Sequence, residues 1–276
     1  MKAIISILIV LFTSHALASR EQIKIVTSIT PLAAIIAMLV KEQAEVISIA
    51  NNSGCPHHYN LKPSDLEKIQ NADIVFYINE QFDGFIGKLM KGYSKNIVKI
   101  SNMPGLNIVK NNSYNNWHIW LDLYNVQVLL EQLVKILVEQ FPDMRVYIHE
   151  NLAKSKQQIE TLSKIKKDRL SLLSDVILLT DSLEYFFDDA QYRVTKLYNS
   201  NQKSLKYISN IEQILSASNS KCLIISLDQN SAVYKHLNAI LVIVESENWQ
   251  VDKMSDELFY RQYLKIINQV TKCLNY

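Results

Sequence analysis

Glycine and proline are scarce in this chain, five of each in 276 residues, and the glycines never gather. No G-x-G-x-x-G or Walker-type run occurs, which excludes a glycine-rich phosphate cradle and leaves nucleotide binding without support. A dominant charge is missing too. The 29 basic and 27 acidic residues leave a formal net charge of +2, and their interspersion builds no basic face, so nucleic acid is dropped as a partner. No stretch has the composition of a disordered tail. What is present is 48% hydrophobic sequence over a length that buries a sizeable core and is long enough for two domains.

Residues 1–18 read as a cleaved secretory signal. Lys2 supplies the positive start, Ala3 to Phe12 an apolar run too short to span a bilayer, and Ala16-Leu17-Ala18 a small-residue cleavage site. Ser19, not cysteine, follows, so no lipid anchor of the bacterial lipoprotein kind is expected and the mature protein is expected to be soluble. An oxidising compartment then implies that two of Cys55, Cys222 and Cys273 pair and one thiol is left over.

From Glu21 onward short apolar runs alternate with amphipathic ones. Strands are expected at Ile23 to Ser28, Val46 to Ile49, Ile74 to Ile78 and Ile97 to Ile100, with helices at Pro31 to Lys41, Ser64 to Gln70 and Phe82 to Lys91. Asn125 to Gln140 has helical spacing, and Pro142 opens a run from Asp143 to about Leu173 without an internal breaker. A helix of some thirty residues spans about 45 Å, too long for one small lobe, and reads as a strut between two. Its charge run, Lys164 to Arg169, reads as a solvated face. The alternation resumes with strands at Val176 to Leu179, Arg193 to Tyr198, Cys222 to Leu227 and Ile240 to Val244. Helices are expected at Leu183 to Ala190, Ile208 to Ala217 and Asp256 to about Cys273, with Ser231 to Leu237 between the last two strands. The fold class is α/β: two βα lobes with mostly parallel sheets joined by one long helix. The divisions are 19–124 for the N-terminal lobe, 125–174 for the linking helical segment and 175–276 for the C-terminal lobe.

Two histidine positions stand out. Gly54, Pro56 and Pro63 hold Cys55-Pro56-His57-His58-Tyr59-Asn60-Leu61-Lys62 outside any regular element, after a strand and before a helix that starts at Pro63-Ser64-Asp65. An imidazole on a proline-stiffened loop offers a lone pair to a metal at low entropic cost, although loop histidines are more often solvated. His118, in Trp117-His118-Ile119-Trp120-Leu121-Asp122, has the plainer reading of a hydrogen-bonded histidine in an aromatic patch.

Together with Asn71-Ala72-Asp73-Ile74-Val75-Phe76, these stretches resemble the zinc-uptake solute-binding proteins of bacterial ABC transporters, a cluster with a rigid helical backbone that includes manganese-binding relatives. The resemblance covers essentially the whole mature chain. It implies His57 and His118 as metal ligands and puts His58 at a variable position. It also implies Glu245, in Val244-Glu245-Ser246, as the acid after the last strand. One ligand departs: where zinc-type members carry histidine and manganese-type members glutamate, this chain reads Thr180-Asp181-Ser182-Leu183-Glu184-Tyr185-Phe186. A threonine hydroxyl is a poor zinc ligand, so affinity falls unless Asp181 or Cys55 makes up the loss. The plainer readings are a helix cap for Asp181 and a small buried residue for Cys55. The His-rich acidic loop of many zinc-type members is replaced by the asparagines of 107–116.

The same resemblance implies a disulfide between Cys222 and Cys273, leaving Cys55 as the thiol. Closing a loop of about fifty residues contributes on the order of 4 kcal/mol in the chain-entropy model, less any strain. The implied function is a periplasmic receptor, not an enzyme and expected to be monomeric. It captures Zn2+, or another divalent cation such as Mn2+, between its lobes and passes it to an ABC transporter permease with its ATPase in the inner membrane. The alternative is a divergent member with weakened or lost metal binding that serves adhesion or another interaction.

Overall fold

The computed structural model describes residues 22–51, 59–89, 96–111, 114–173, 175–188, 192–198, 204–218, 221–247, 249–251 and 253–274. The first sheet has the order β2-β1-β3-β4, formed by β1 (Ile23–Thr27), β2 (Ala44–Ser48), β3 (Ile74–Tyr77) and β4 (Asn96–Lys99). The second repeats that pattern as β6-β5-β7-β8, from β5 (Asp175–Leu178), β6 (Arg193–Lys196), β7 (Cys222–Ser226) and β8 (Ile240–Val244). Every pairing in both sheets is parallel. Parallel sheets are covered on both faces, which is why β3 and β7 are buried at every position and read as unbroken apolar runs.

The helices are α1 (Thr30–Val40), α2 (Pro63–Gln70), α3 (Gly84–Leu89), α4 (Leu123–Gln140), α5 (Arg145–Arg169), α6 (Leu205–Ala217) and α7 (Leu258–Val270). All 11 residues of α1 are buried, as expected for a helix apolar on every side. It packs on α4, α5 and α7 as well as on its own sheet. The strut is shorter than the sequence predicts, because Pro142–Met144 forms a separate 3-10 turn before α5. At 25 residues α5 spans about 38 Å. It is tied to α1 through Asn151 Nδ2, which donates to Leu39 O at 2.9 Å, and Ser155 Oγ, which donates to Met38 O at 3.3 Å. Its other end packs on α7.

The lobes therefore share more than a strut. One contiguous apolar cluster runs from Ile25 in β1 through α1, α4 and α5 to Phe259 and Cys273. Separating the lobes widely would expose this cluster at roughly 25 cal/mol per Å², so the fold resists a broad hinge.

The helix predicted at Leu183 to Ala190 is not formed among the described residues, where only a 3-10 turn, Tyr185–Phe187, appears. Residues 182–187 are all buried, which leaves no solvent face for an amphipathic helix, and Tyr185 is fastened from two sides. Its hydroxyl donates to Asn116 O at 2.8 Å and accepts from Val109 N at 2.9 Å. Tertiary contacts outweigh local propensity there.

Cys222, the first residue of β7, is bonded to Cys273, beyond α7, with the Cα atoms 5.3 Å apart and a sequence separation of 51. Cys55 lies outside the described residues. Thiol titration of the denatured, unreduced protein is expected to find one free thiol, rising to three after reduction. Three before reduction, or a peptide map linking Cys55, would overturn this pairing.

Candidate metal centre

The C-terminal ends of β1, β3, β5, β7 and β8 converge on the boundary between the lobes, and His118 sits there. The polar segment 105–116 begins at Gly105, whose φ of 88° is cheap only for glycine, and ends by delivering His118 to a buried 3-10 turn, Ile119–Leu121. That turn is docked to the second lobe: Trp120 Nε1 donates to Ser246 O at 2.9 Å, and Tyr263 OH donates to Leu121 O at 3.0 Å. His118 is 4% exposed, edge-on to Phe82 and Trp120 with ring centroids 5.3 Å from each. The aromatic patch is real, but it does not account for the polarity of the site.

Asn116 fixes the tautomer of His118. The Asn116 Nδ2 group donates to Asp181 O at 2.9 Å and to Glu184 Oε2 at 3.0 Å, so its Oδ1 must be the atom facing His118. That oxygen lies 3.0 Å from His118 N and 2.8 Å from Nδ1. Nδ1 therefore carries the hydrogen in the neutral ring, and Nε2 keeps its lone pair, as a metal ligand requires. Nε2 lies 3.5 Å from Glu247 Oε1. Burial disfavours the imidazolium, yet the surrounding carboxylates, Glu247 first and then Asp181 and Asp228, together outweigh it and raise the pKa of His118 above its ordinary value.

The acid that the structure brings to His118 is thus Glu247, two residues beyond the Glu245 expected from sequence. Glu245 points elsewhere: Oε2 is 2.6 Å from Lys265 Nζ of α7, and Oε1 accepts from Gln250 N at 3.2 Å. The chain leaves β8 at Val244, and Ser246 is held by Trp120, which turns Glu247 into the cleft. Strand alternation places residues 245 and 247 on one face and cannot separate them. The only sequence signal for Glu247 is that Val-Glu-Ser-Glu contains a second acid.

Thr180, 6% exposed, ends in a chain of hydroxyls. Its Oγ1 is 2.9 Å from Ser182 Oγ, which is 2.7 Å from Ser246 Oγ, itself 3.5 Å from Ser226 Oγ. The position at which the resemblance expects a third strong ligand is therefore knitted into neutral hydrogen bonds. Asp181 is not a side-chain helix cap, for no helix follows it among the described residues; its carboxylate accepts from Tyr114 OH at 2.8 Å. Nearby, Glu184 is 3% exposed and takes donors from Lys196 and Asn116. Burial alone would raise its pKa, but the Lys196 ammonium and the Asn116 amide hold it below the usual carboxylate value. Asn116, Ser182, Ser246 and Glu184 were not read from the sequence as parts of the site. The polar N-x-H spacing before His118 is the one hint for Asn116.

Beside His118 opens a cavity of about 430 Å³ walled by Phe82, Tyr114, Asn116, Trp117 and Asp181, with Gln81 at its edge. Phe82 is held in place from below: Asn79 Oδ1 accepts from Phe82 N at 3.0 Å, and the Asp83 carboxylate accepts from Ile78 N at 2.7 Å and Asn79 N at 2.8 Å. Burial pushes the pKa of Asp83 up to about 6. Asp83→Ala strands two buried N–H groups and is expected to destabilise the fold by about 2 kcal/mol in urea melts at pH 7. Because the folded pKa exceeds the unfolded one, the fold binds the extra proton, and Asp83 contributes more stability as pH falls from about 6 towards 4. The gap between wild type and variant should widen over that range; a gap that narrows contradicts the assignment.

His57, His58 and Cys55 lie outside the described residues. The described chain approaches them at Asn51, whose Nδ2 donates to Val251 O of the second lobe at 3.3 Å, so residue 51 already reaches the cleft. Among the described residues no three His, Cys, Asp or Glu side chains form a metal-holding group; His118 and Glu247 are the two that meet in the cleft.

Two parallel sheets with a buried histidine and an acid between them make a two-lobed α/β architecture with a polar centre at the lobe boundary. Residues 25–275 match the family model described as zinc-uptake complex component A, periplasmic, and the chain belongs to that family. It is 45% identical over 270 residues to an uncharacterised protein of Rickettsia prowazekii, covering 97% of this chain and 89% of that one. It is 23% identical over 202 residues to the high-affinity zinc uptake system protein ZnuA of Haemophilus ducreyi, covering 63% of this chain and 65% of that one. Among solved structures it is similar to the periplasmic zinc-binding protein TroA of Treponema pallidum, with a TM-score of 0.79 and 14% identity over 92% of this chain and 99% of that chain. The family is one of metal-binding receptors for ABC import, and the protein is not an enzyme.

Proposed function

We propose that this chain captures Zn2+ between its lobes with His57, His118 and Glu247 and hands it to the permease of an ABC importer served by a cytoplasmic ATPase. The observation that carries the reading is the state of His118: Nδ1 is committed to Asn116, and Nε2 is turned towards a nearly buried carboxylate at the lobe boundary. Two nitrogens and one oxygen are a workable zinc set with a position left open. Glu247 takes the role the resemblance assigned to Glu245, because Glu245 is engaged by Lys265. The receptor acts as a periplasmic monomer after loss of residues 1–18. The shared apolar core limits the hinge, so release proceeds by local rearrangement around the cleft and not by wide opening.

The hydroxyl chain at Thr180 favours a second reading, a member with weakened zinc affinity that takes a harder cation such as Mn2+ or serves as an interaction protein. Isothermal titration of the metal-free protein starting at Ser19 separates the cases. One equivalent of Zn2+ bound below micromolar Kd supports the receptor. Preference for Mn2+ supports the harder-cation form, and no binding of either leaves the interaction protein.

A further inference from the structure

The segment that delivers His118 is fastened to the opposite lobe. Its two short arms pair antiparallel: Asn116 N donates to Val109 O and Asn111 N to Tyr114 O, both at 2.9 Å, and Lys110 bridges to Asn115. One carboxylate of the second lobe grips both arms. Glu184 Oε2 accepts from Asn111 Nδ2 at 3.3 Å and from Asn116 Nδ2 at 3.0 Å, while Oε1 receives the Lys196 ammonium. A carboxylate only 3% exposed needs Lys196 to offset its charge, but it does not need two amides as well. Their consequence is directional. An ionised carboxylate only accepts, whereas an amide donates at one end and accepts at the other. Together with Asp181 O, which takes the same Nδ2 at 2.9 Å, Glu184 decides which end of Asn116 faces the second lobe. The remaining Oδ1 then faces His118 Nδ1 at 2.8 Å.

We infer that Glu184 is a positioning residue for His118: acting across the lobe boundary through Asn116, it holds the neutral imidazole in the Nδ1–H form. The relay is a property of the metal-free protein, and its consequence for cargo rests on the metal-receptor reading. The Nε2 lone pair is presented while Asn111 and Asn116 stay docked on Glu184. Slippage of the two arms off the second lobe frees the Asn116 amide to turn over, and His118 then loses the tautomer that a metal ligand needs. Donor quality at the cleft is thereby coupled to the docking of one lobe on the other. A local shift of these arms, without wide opening, is enough to weaken the site.

The test reads the His118 ring by nitrogen NMR in the metal-free protein, at a pH where the ring is neutral, and zinc affinity by calorimetry. Wild type is expected to show the Nδ1–H form alone. In Glu184→Gln a single oxygen must serve both Lys196 and Asn116. The ammonium, as the charged donor, takes it, and the NH2 group left facing Asn116 favours the reversed amide. The tautomers are expected to mix and zinc binding to weaken about tenfold, the low end for partners behind a liganding histidine. Glu184→Gln/Lys196→Met frees the oxygen for Asn116 and should restore the Nδ1–H form and most of the lost affinity. Mixed tautomers in wild type, or an unmixed Nδ1–H form in Glu184→Gln, overturn the relay. Mixing that persists in the double variant overturns it too, since the cause is then loosened packing and not a misdirected acceptor. Glu184→Ala, which removes the acceptor outright, is read in the same way if the glutamine variant does not fold. Tautomers in the expected order in a protein that binds no zinc support the relay and overturn the receptor reading.

Discussion

His118→Ala is expected to weaken zinc binding about a thousandfold, and Glu247→Gln at least a hundredfold, while Glu245→Gln changes it less than threefold. At 1.4 kcal/mol per decade these losses correspond to about 4 and 3 kcal/mol. The ranking follows from geometry. His118 presents a lone pair whose direction is set by Asn116, so its loss removes both a donor and a preorganised one. Glu247 loses only its charge on conversion to the amide, and with it the field at Nε2. Glu245 lies on Lys265 with side chains 11% and 50% exposed, and a half-exposed ion pair is worth little. Calorimetry on the three variants, each shown by circular dichroism to be folded, gives the ranking. A collapse for Glu245→Gln with Glu247→Gln unaffected would mean that the cleft closes on metal by exchanging the two acids.

The same pair shows where the sequence stopped being informative. Strand positions, lobe count and the linking helix follow from local signals, since fully buried parallel strands read as apolar runs of four or five residues and α4 repeats its apolar face every three to four. Whether Glu245 or Glu247 enters the cleft depends on how Trp120, 126 residues away, grips Ser246. No local pattern encodes that contact. The segment after β5 misled for a related reason: Leu183, Tyr185, Phe186 and Phe187 carry enough apolar residues for a helix, but all face inward, and the turn is set by Asn116 and Val109 from the other lobe. The centrality of α1 was hidden as well. Its residues announce burial, but not that α4, α5 and α7 all close on it to merge the two lobes into one core. His118 was legible as a candidate because His-x-Trp-Leu is a motif, whereas its orienting asparagine and the nearby hydroxyl chain belong to the three-dimensional neighbourhood.

That hydroxyl chain sets the terms for restoring the third ligand. Thr180→His is expected to tighten zinc binding, because an imidazole at the end of β5 completes a tetrahedral set with His57, His118 and Glu247. A prearranged nitrogen ligand adds about 2 to 4 kcal/mol, or thirty- to a thousandfold. The pocket is full, however: Thr180 is 6% exposed and Ser182 wholly buried, so the larger ring meets an overpacking cost of about 1 to 3 kcal/mol. The single variant should therefore gain less than the double variant Thr180→His/Ser182→Ala, in which removal of the Ser182 hydroxyl frees both space and a hydrogen-bonding partner. The double variant is expected to bind zinc at least thirtyfold more tightly than wild type. Titrations of Asp181→Ala and Cys55→Ser alongside complete the comparison. If neither histidine variant gains affinity while one of these two collapses, the centre has been rebuilt around Asp181 or Cys55, and Thr180 is no longer a vacant place that a nitrogen ligand can refill.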